Sequence, residues 1–277
     1  MIKTKPQTLI VDNKYCPGCG HGVINRLVAE VLEELGVADQ TIGAVAVGCA
    51  CLMIDTFGID WIQAQHGRAA AVAAAIKRCR PDRTVLTYQG DGDALAIGFS
   101  ETMYAAIRNE NITVIFVNNT NFGMTGGQMA PTTLPGQKTT TSPYGRDCAV
   151  TGNPLKAIDM LKTLDIAYAA RGAVTTAAEI AKTKRYIRNA FEAQLNGEGY
   201  SFVEVLSPCP TNWGMPPLAA KERVASTIQE YYPVGGLWRT GRSDGRAHYR
   251  QDGDGHRKKC GLDSLLRLRD AGRNGQL

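Results

Sequence analysis

Thr84-Val85-Leu86-Thr87-Tyr88-Gln89-Gly90-Asp91-Gly92-Asp93 and Ile112-Thr113-Val114-Ile115-Phe116-Val117-Asn118-Asn119 are two runs with the same design: a short apolar stretch that ends in small or oxygen-bearing residues. Near-continuous apolar runs of this length, rich in Val and Ile, are strands buried on both faces, which occur in parallel sheets. Between them, Ala94 to Asn109 reads as a helix, so the unit is strand–helix–strand. Ligands of such sheets bind at the carboxyl ends of the strands, and both polar endings fall there.

The donor types at those endings suit one chemistry. Magnesium takes six oxygens and usually binds one or two carboxylates together with ligand phosphates. Asp91 offers a carboxylate, Asn119 a side-chain oxygen and Asn121 a main-chain carbonyl, while Gly90 and Gly92 let the backbone approach a diphosphate and the following helix presents free N–H groups. The competing reading is that Asp91 and Asn119 are ordinary turn residues at strand ends.

The remaining pattern continues the alternation. Val23, Leu27, Val28, Val31, Leu32 and Leu35 recur at helical spacing up to Gly36, and Thr41 to Gly48 is a strand leading to Cys49-Ala50-Cys51. An alanine-rich helix spans Ala69 to Arg80 and Pro81 stops it. Residues 120–152 read as a long Gly-, Thr- and Pro-rich loop, which in a compact domain is either functional or a misassigned element. Helices near 154–164 and 176–195 and strands at 166–170 and 202–206 follow. The fold class expected is α/β, a doubly wound and mostly parallel sheet.

Composition limits the function. The chain has 277 residues and a net charge of +5, but the excess sits in residues 237–277, where apolar periodicity stops and Gly, Arg and Asp dominate. The body, 1–236, balances, so a nucleic-acid-binding surface is not expected. No apolar run reaches the roughly 18 residues that cross a membrane, and the first residues lack a secretory pattern; a cytoplasmic protein is the expectation.

In that compartment cysteines are thiols or ligands rather than disulfides. Cys16, Cys19, Cys49 and Cys209 lie in Gly- or Pro-flanked loops at element ends. Spacing leaves zinc, a [4Fe–4S] cluster and free thiols all open. Cys79 reads as a small core or half-buried residue of its helix, and Cys148 as a loop thiol.

Gly90-Asp-Gly-Asp93 followed by Asn118-Asn119 resembles the thiamine diphosphate motif. Together with Cys16-Pro-Gly-Cys-Gly-His-Gly22, Val47-Gly-Cys49, His66-Gly-Arg68, Met124-Thr-Gly-Gly-Gln-Met-Ala-Pro-Thr-Thr133 and Cys209-Pro-Thr-Asn-Trp-Gly214, it is similar to the β subunit of the 2-oxoacid:ferredoxin oxidoreductases. The resemblance implies that Asp91, Asn119 and the Asn121 carbonyl hold Mg²⁺, and that Cys16, Cys19, Cys49 and Cys209 hold a [4Fe–4S] cluster. Gly48, Cys49, Gly90, Gly92, Asp93, Gly123 and His66 would border the cofactor, with His66, Phe122 and Met124 as catalytic-site residues. A packed or capping histidine is the competing reading for His66, and His21 and Arg68 are further candidates.

The implied reaction is oxidative decarboxylation of a 2-oxoacid to acyl-CoA and CO₂, with electrons passing through the cluster to ferredoxin. The 124–129 loop inclines the substrate toward 2-oxoglutarate or a branched-chain 2-oxoacid, with pyruvate open. The domain that activates the aminopyrimidine is missing, so α and further γ or δ subunits are implied partners. The alternative is a non-redox thiamine diphosphate decarboxylase or ligase subunit with structural zinc. These subunits end soon after Tyr231-Tyr-Pro-Val-Gly235, so residues 237–277 are expected to be an atypical tail, disordered or translated out of frame.

Overall fold

In a computed structural model of the chain, residues 5–239 are described. The tail from 240 onward, including the expectation that it is disordered or frameshift-derived, lies outside the described residues.

In chain order the elements are α1 (His21–Glu34), β1 (Thr41–Val45), β2 (Asp60–Gln63), α2 (Ala69–Cys79), β3 (Thr84–Gly90), α3 (Phe99–Ile107), β4 (Thr113–Asn118), α4 (Cys148–Thr151), α5 (Ala157–Leu161), β5 (Tyr168–Ala173), α6 (Ala177–Leu195), β6 (Ser201–Leu206), α7 (Pro210–Trp213), α8 (Pro217–Arg223), α9 (Gln229–Tyr231) and β7 (Gly235–Arg239). Among the described residues the strands form one sheet in the order β2-β1-β3-β4-β6-β5-β7. All neighbours run parallel except β7, which pairs antiparallel with β5.

The apolar runs of the central strands divide by the two-residue period of a strand. Leu86, Tyr88, Ile115, Val117, Val203 and Val205 join the core under α1 and α6, with Leu27, Val28, Ile187 and Phe191. Val85, Val114, Phe116 and Phe202 join the opposite core, where Ala70 and Ala73 of α2 and Ala105 and Ala106 of α3 close over the sheet. Helices on both faces explain why β3 and β4 are continuously apolar, and the arrangement is the expected doubly wound one.

Several boundaries differ from expectation. β2 was not foreseen: it is four residues long, lies at the sheet edge and is mostly exposed, so it carries no apolar signature. The strand expected at 166–170 runs instead from Tyr168 to Ala173. Residues 217–231 are helical although no helix was expected there, and β7 carries the sheet three residues past the expected break at 236. Cys79 is exposed at the last position of α2 rather than packed in a core, and Cys148 opens the short α4 instead of lying in a loop.

The helix expected over Ala94 to Asn109 is broken in two. Gly92–Ile97 forms wide turns in which the Gly98 N–H reaches the Asp93 carbonyl five residues back, at 2.8 Å, before α3 begins. The break lets the Gly67 backbone cross against Gly98, where a Cβ would stand 2.3 Å from the Gly67 carbonyl oxygen. Backbone cannot yield as a flexible side chain can. Gly98→Ala is therefore expected to destabilise the fold by about 1–3 kcal/mol in urea unfolding, and an unchanged midpoint would show that this crossing is not tight.

Candidate active site

The strand register brings the polar endings together. Gly90 pairs with Val117, so Asp91 and the Asn118-Asn119 pair leave adjacent strands side by side. Val45 pairs with Tyr88 and Asn118 with Leu206, which puts the loops holding Cys49 and Cys209 at the neighbouring strand ends. A cleft at this edge is lined by His21, Gly48, Cys49, His66, Gly90, Asp91, Gly92, Asp93, Asn119, Asn121, Phe122, Gly123 and Met124.

Asp91 is 1 % exposed. One of its oxygens accepts from the Gly92 N–H at 2.9 Å and the other from the Thr132 hydroxyl at 2.5 Å. Burial outweighs these donors and pushes its pKa up to about 7. The side-chain oxygen of Asn119 stands 3.2 Å from Asp91 Oδ1 and 2.7 Å from the Asn121 carbonyl oxygen; rotating the amide would instead let it donate to both. The first orientation gathers three oxygens at one point, and the second ties the same three groups together by hydrogen bonds without an ion. An octahedral Mg²⁺ with oxygens at about 2.1 Å holds neighbouring ones about 3 Å apart. The donor set fits that ion.

The turn that presents Asn119 and Asn121 is strained. Thr120 between them has φ 59°, unusual for a β-branched residue. The long loop holds it there: the Thr120 carbonyl accepts from the Thr133 hydroxyl at 2.7 Å, and Gln137 Nε2 donates to the Thr120 hydroxyl at 2.9 Å. Such strain persists only where the surroundings over-determine it.

His66 is fixed by Asp93. Its Nδ1 lies 2.6 Å from Asp93 Oδ1, which also accepts from the Gly67 N–H, while Asp93 Oδ2 accepts from Gln89. The chain's own donors thus occupy the Asp93 carboxylate, and the bond at Nδ1 leaves the other ring nitrogen of His66 for a ligand. Phe122 packs edge-on to His66, with ring centroids 6.3 Å apart, and lies so close over Gly92 that a Cβ there would overlap its ring. Met124 is 44 % exposed at the cleft mouth. His21 is buried against Tyr88, Nδ1 to hydroxyl 2.6 Å, and burial lowers its pKa to about 4, so it is neutral. Arg68 pairs with Glu101.

Cys49 and Cys209 lie beside this clamp: a Cβ on Gly123 would stand 3.1 Å from the Cys49 sulfur, and Asn121 Nδ2 lies 3.9 Å from the Cys209 sulfur. Were they ionised, Cys16, Cys19, Cys49 and Cys209 would repel one another. Burial pushes Cys19 and Cys49 up to about 12 and raises Cys209. Among the described residues no three His, Cys, Asp or Glu side chains converge as a single metal ion would require. Cys209 is tied to the clamp loop through Asn212, whose Nδ2 lies 3.5 Å from its sulfur and 2.7 Å from the Gly123 carbonyl.

Residues 46–205 match the family of thiamine pyrophosphate enzymes at their C-terminal TPP binding domain. The chain is 36 % identical to the 2-oxoglutarate synthase subunit KorB of Methanocaldococcus jannaschii, over 72 % of this chain and 70 % of that protein. The chain belongs to the thiamine pyrophosphate-binding subunits of the 2-oxoacid:ferredoxin oxidoreductases. It is also 43 % identical, over 79 % of its length, to the ketoisovalerate oxidoreductase subunit VorA of Methanothermobacter thermautotrophicus, but spans only 46 % of that relative. A solved 2-oxoglutarate:ferredoxin oxidoreductase from Magnetococcus marinus, with 2-oxoglutarate, coenzyme A and succinyl-CoA bound, superposes with a TM-score of 0.66 at 30 % identity, covering 76 % of this chain and 70 % of that one.

In this oxidoreductase subunit, Thr132 and Asn212 lie in stretches that carry the resemblance but had no assigned role, and Gln89 and Gln137 carried no signal at all. The partners of Thr132, Gln137 and, at Gly123, Asn212 are distant in sequence, so only the fold names them; Gln89 bonds Asp93 four residues on, with no pattern to mark it.

The raised pKa of Asp91 makes the ligand-free chain pH-sensitive. The folded state keeps a proton that the unfolded state loses near the ordinary carboxylate value of 3.8, so stability falls as pH rises from about 4 to 7. The shift of about three units corresponds to about 4 kcal/mol. Urea unfolding of metal-free protein across that range is expected to show this slope, and Asp91→Asn to remove most of it. A flat profile for the unsubstituted chain would contradict the burial argument.

Proposed function

We propose that this chain is the thiamine diphosphate-binding subunit of an enzyme that oxidatively decarboxylates a 2-oxoacid to its acyl-CoA, acting in the cytoplasm with partner subunits and delivering electrons to ferredoxin. The observation that carries the reading is the convergence of Asp91, Asn119 and the Asn121 carbonyl at one cleft with Cys209 adjoining. Asp91, Asn119 and Asn121 would hold Mg²⁺, whose charge binds the diphosphate, while Cys16, Cys19, Cys49 and Cys209 would hold a [4Fe–4S] cluster.

When bound, thiamine diphosphate supplies the carbanion chemistry that releases CO₂, and an iron–sulfur cluster accepts electrons singly. The residues of this chain position and shield. Asp93 orients His66 so that its free ring nitrogen faces the cleft. Phe122, packed over Gly92, would shield the clamp from water, and Met124 would offer an apolar surface at the cleft mouth.

Identity to the VorA relatives, 43 % and 44 %, exceeds that to the KorB relatives, 30 % to 36 %, which supports a branched-chain 2-oxoacid as the substrate ahead of 2-oxoglutarate. The chain should be co-expressed with its partner subunits and purified without oxygen. A brown protein absorbing near about 400 nm, reducing a viologen dye fastest with 2-oxoisovalerate plus coenzyme A, is the expected result. Cys209→Ser should bleach it and abolish dye reduction. A colourless protein holding one zinc, or decarboxylation that never reduces the dye, would overturn the reading.

A further inference from the structure

An ion pair lies inside this sheet. Arg171 of β5 and Glu204 of β6 are register partners, 4 % and 1 % exposed, with Arg171 Nε donating to Glu204 Oε2 at 2.8 Å. Burying two charges costs several kcal/mol, and an apolar pair of similar volume is often as stable or more so. Stability alone therefore does not account for this pair, and its other contacts show what it holds.

Glu204 Oε1 accepts from Asn118 Nδ2 at 2.7 Å. The remaining atom of that amide, Asn118 Oδ1, accepts from the Thr120 N–H at 3.2 Å. Asn118 thereby fixes the left-handed turn whose two flanks are Asn119 and Asn121. Arg171 reaches the other arm. Its Nη1 donates to the Pro233 carbonyl at 3.2 Å and its guanidinium lies 5.3 Å from the centre of the Tyr232 ring. The Tyr232 hydroxyl stands 2.9 Å from the carbonyl of Thr132, the residue whose own hydroxyl holds Asp91. Both arms of the cation clamp thus end on one buried pair.

We propose that Arg171 and Glu204 are positioning residues of the clamp: through Asn118 on one side and Tyr232–Thr132 on the other, they set the separation of the oxygens offered by Asp91, Asn119 and Asn121. The proposal rests on the reading of those three residues as a divalent-cation site.

The test uses the full chain co-expressed with its partner subunits, stripped of metal and titrated with Mn²⁺ in the presence of thiamine diphosphate, free Mn²⁺ being read by electron paramagnetic resonance. Arg171→Met with Glu204→Leu removes both charges and the acceptor for Asn118; its Mn²⁺ dissociation constant should rise about 10- to 100-fold. Arg171→Met with Glu204→Gln removes the charges but keeps an acceptor for Asn118, and should recover most of that loss. Should the first pair fail to fold, Asn118→Asp, which keeps the acceptor for Thr120 but sets two carboxylates against each other, is expected to weaken Mn²⁺ by a similar factor. If these variants change only the melting temperature and bind Mn²⁺ as the unsubstituted complex does, the pair is structural and the proposal falls. Asp91→Asn separates the two layers. Unchanged Mn²⁺ binding there would overturn the cation site itself, whereas loss there with none in the Asn118 and Arg171–Glu204 variants would overturn only the positioning role.

Discussion

A carboxylate at the end of two fully buried strands is the constraint on which this structure turns. Asp91 has to be buried to sit beside Asn119, and burial penalises its charge. The fold answers with donors from two directions: the following N–H of Gly92 and the Thr132 hydroxyl. These donors do not fully offset the penalty, which leaves the site short of positive charge. A cation would complement that deficit, and the Asp91 carboxylate, the Asn119 amide and the Asn121 carbonyl lie close enough together to share one.

Much of the irregular structure serves this one edge. The loop of residues 120–152 looks shapeless by periodicity, yet Thr132, Thr133 and Gln137 all bond back to the clamp or to the strained Thr120. The broken helix after Asp93 lets Gly67 cross at Gly98, which brings His66 onto Asp93. Asn212 links the Cys209 loop to Gly123, one turn from the oxygens of the clamp. The clamp and the Cys209 loop are therefore joined through the Asn212 side chain.

Five of the six parallel strands, most flanking helices and the pair of polar endings were legible because each is local: a run of Val and Ile, a helical period, a Gly-Asp-Gly turn. What was not legible had no local signal. β2 is too short and exposed to stand out, and the helix break at Gly98 depends on a glycine far back in the chain. The helical segment after Pro217 supplies Tyr232 and Pro233, whose importance comes from Thr132 and Arg171, remote in sequence.

By itself, then, the sequence determined the doubly wound sheet and that Asp91, Asn119 and Cys49 follow strand ends at its carboxyl edge, since strand periodicity and turn chemistry act over a few residues. Only the tertiary structure decided how those donors are aimed. The register of Gly90 with Val117 sets Asp91 beside Asn119, and the Arg171–Glu204 pair meets Asn118 across three strands. Such contacts depend on how the strands stack, a sum of packing forces over the whole sheet that no single stretch of chain carries.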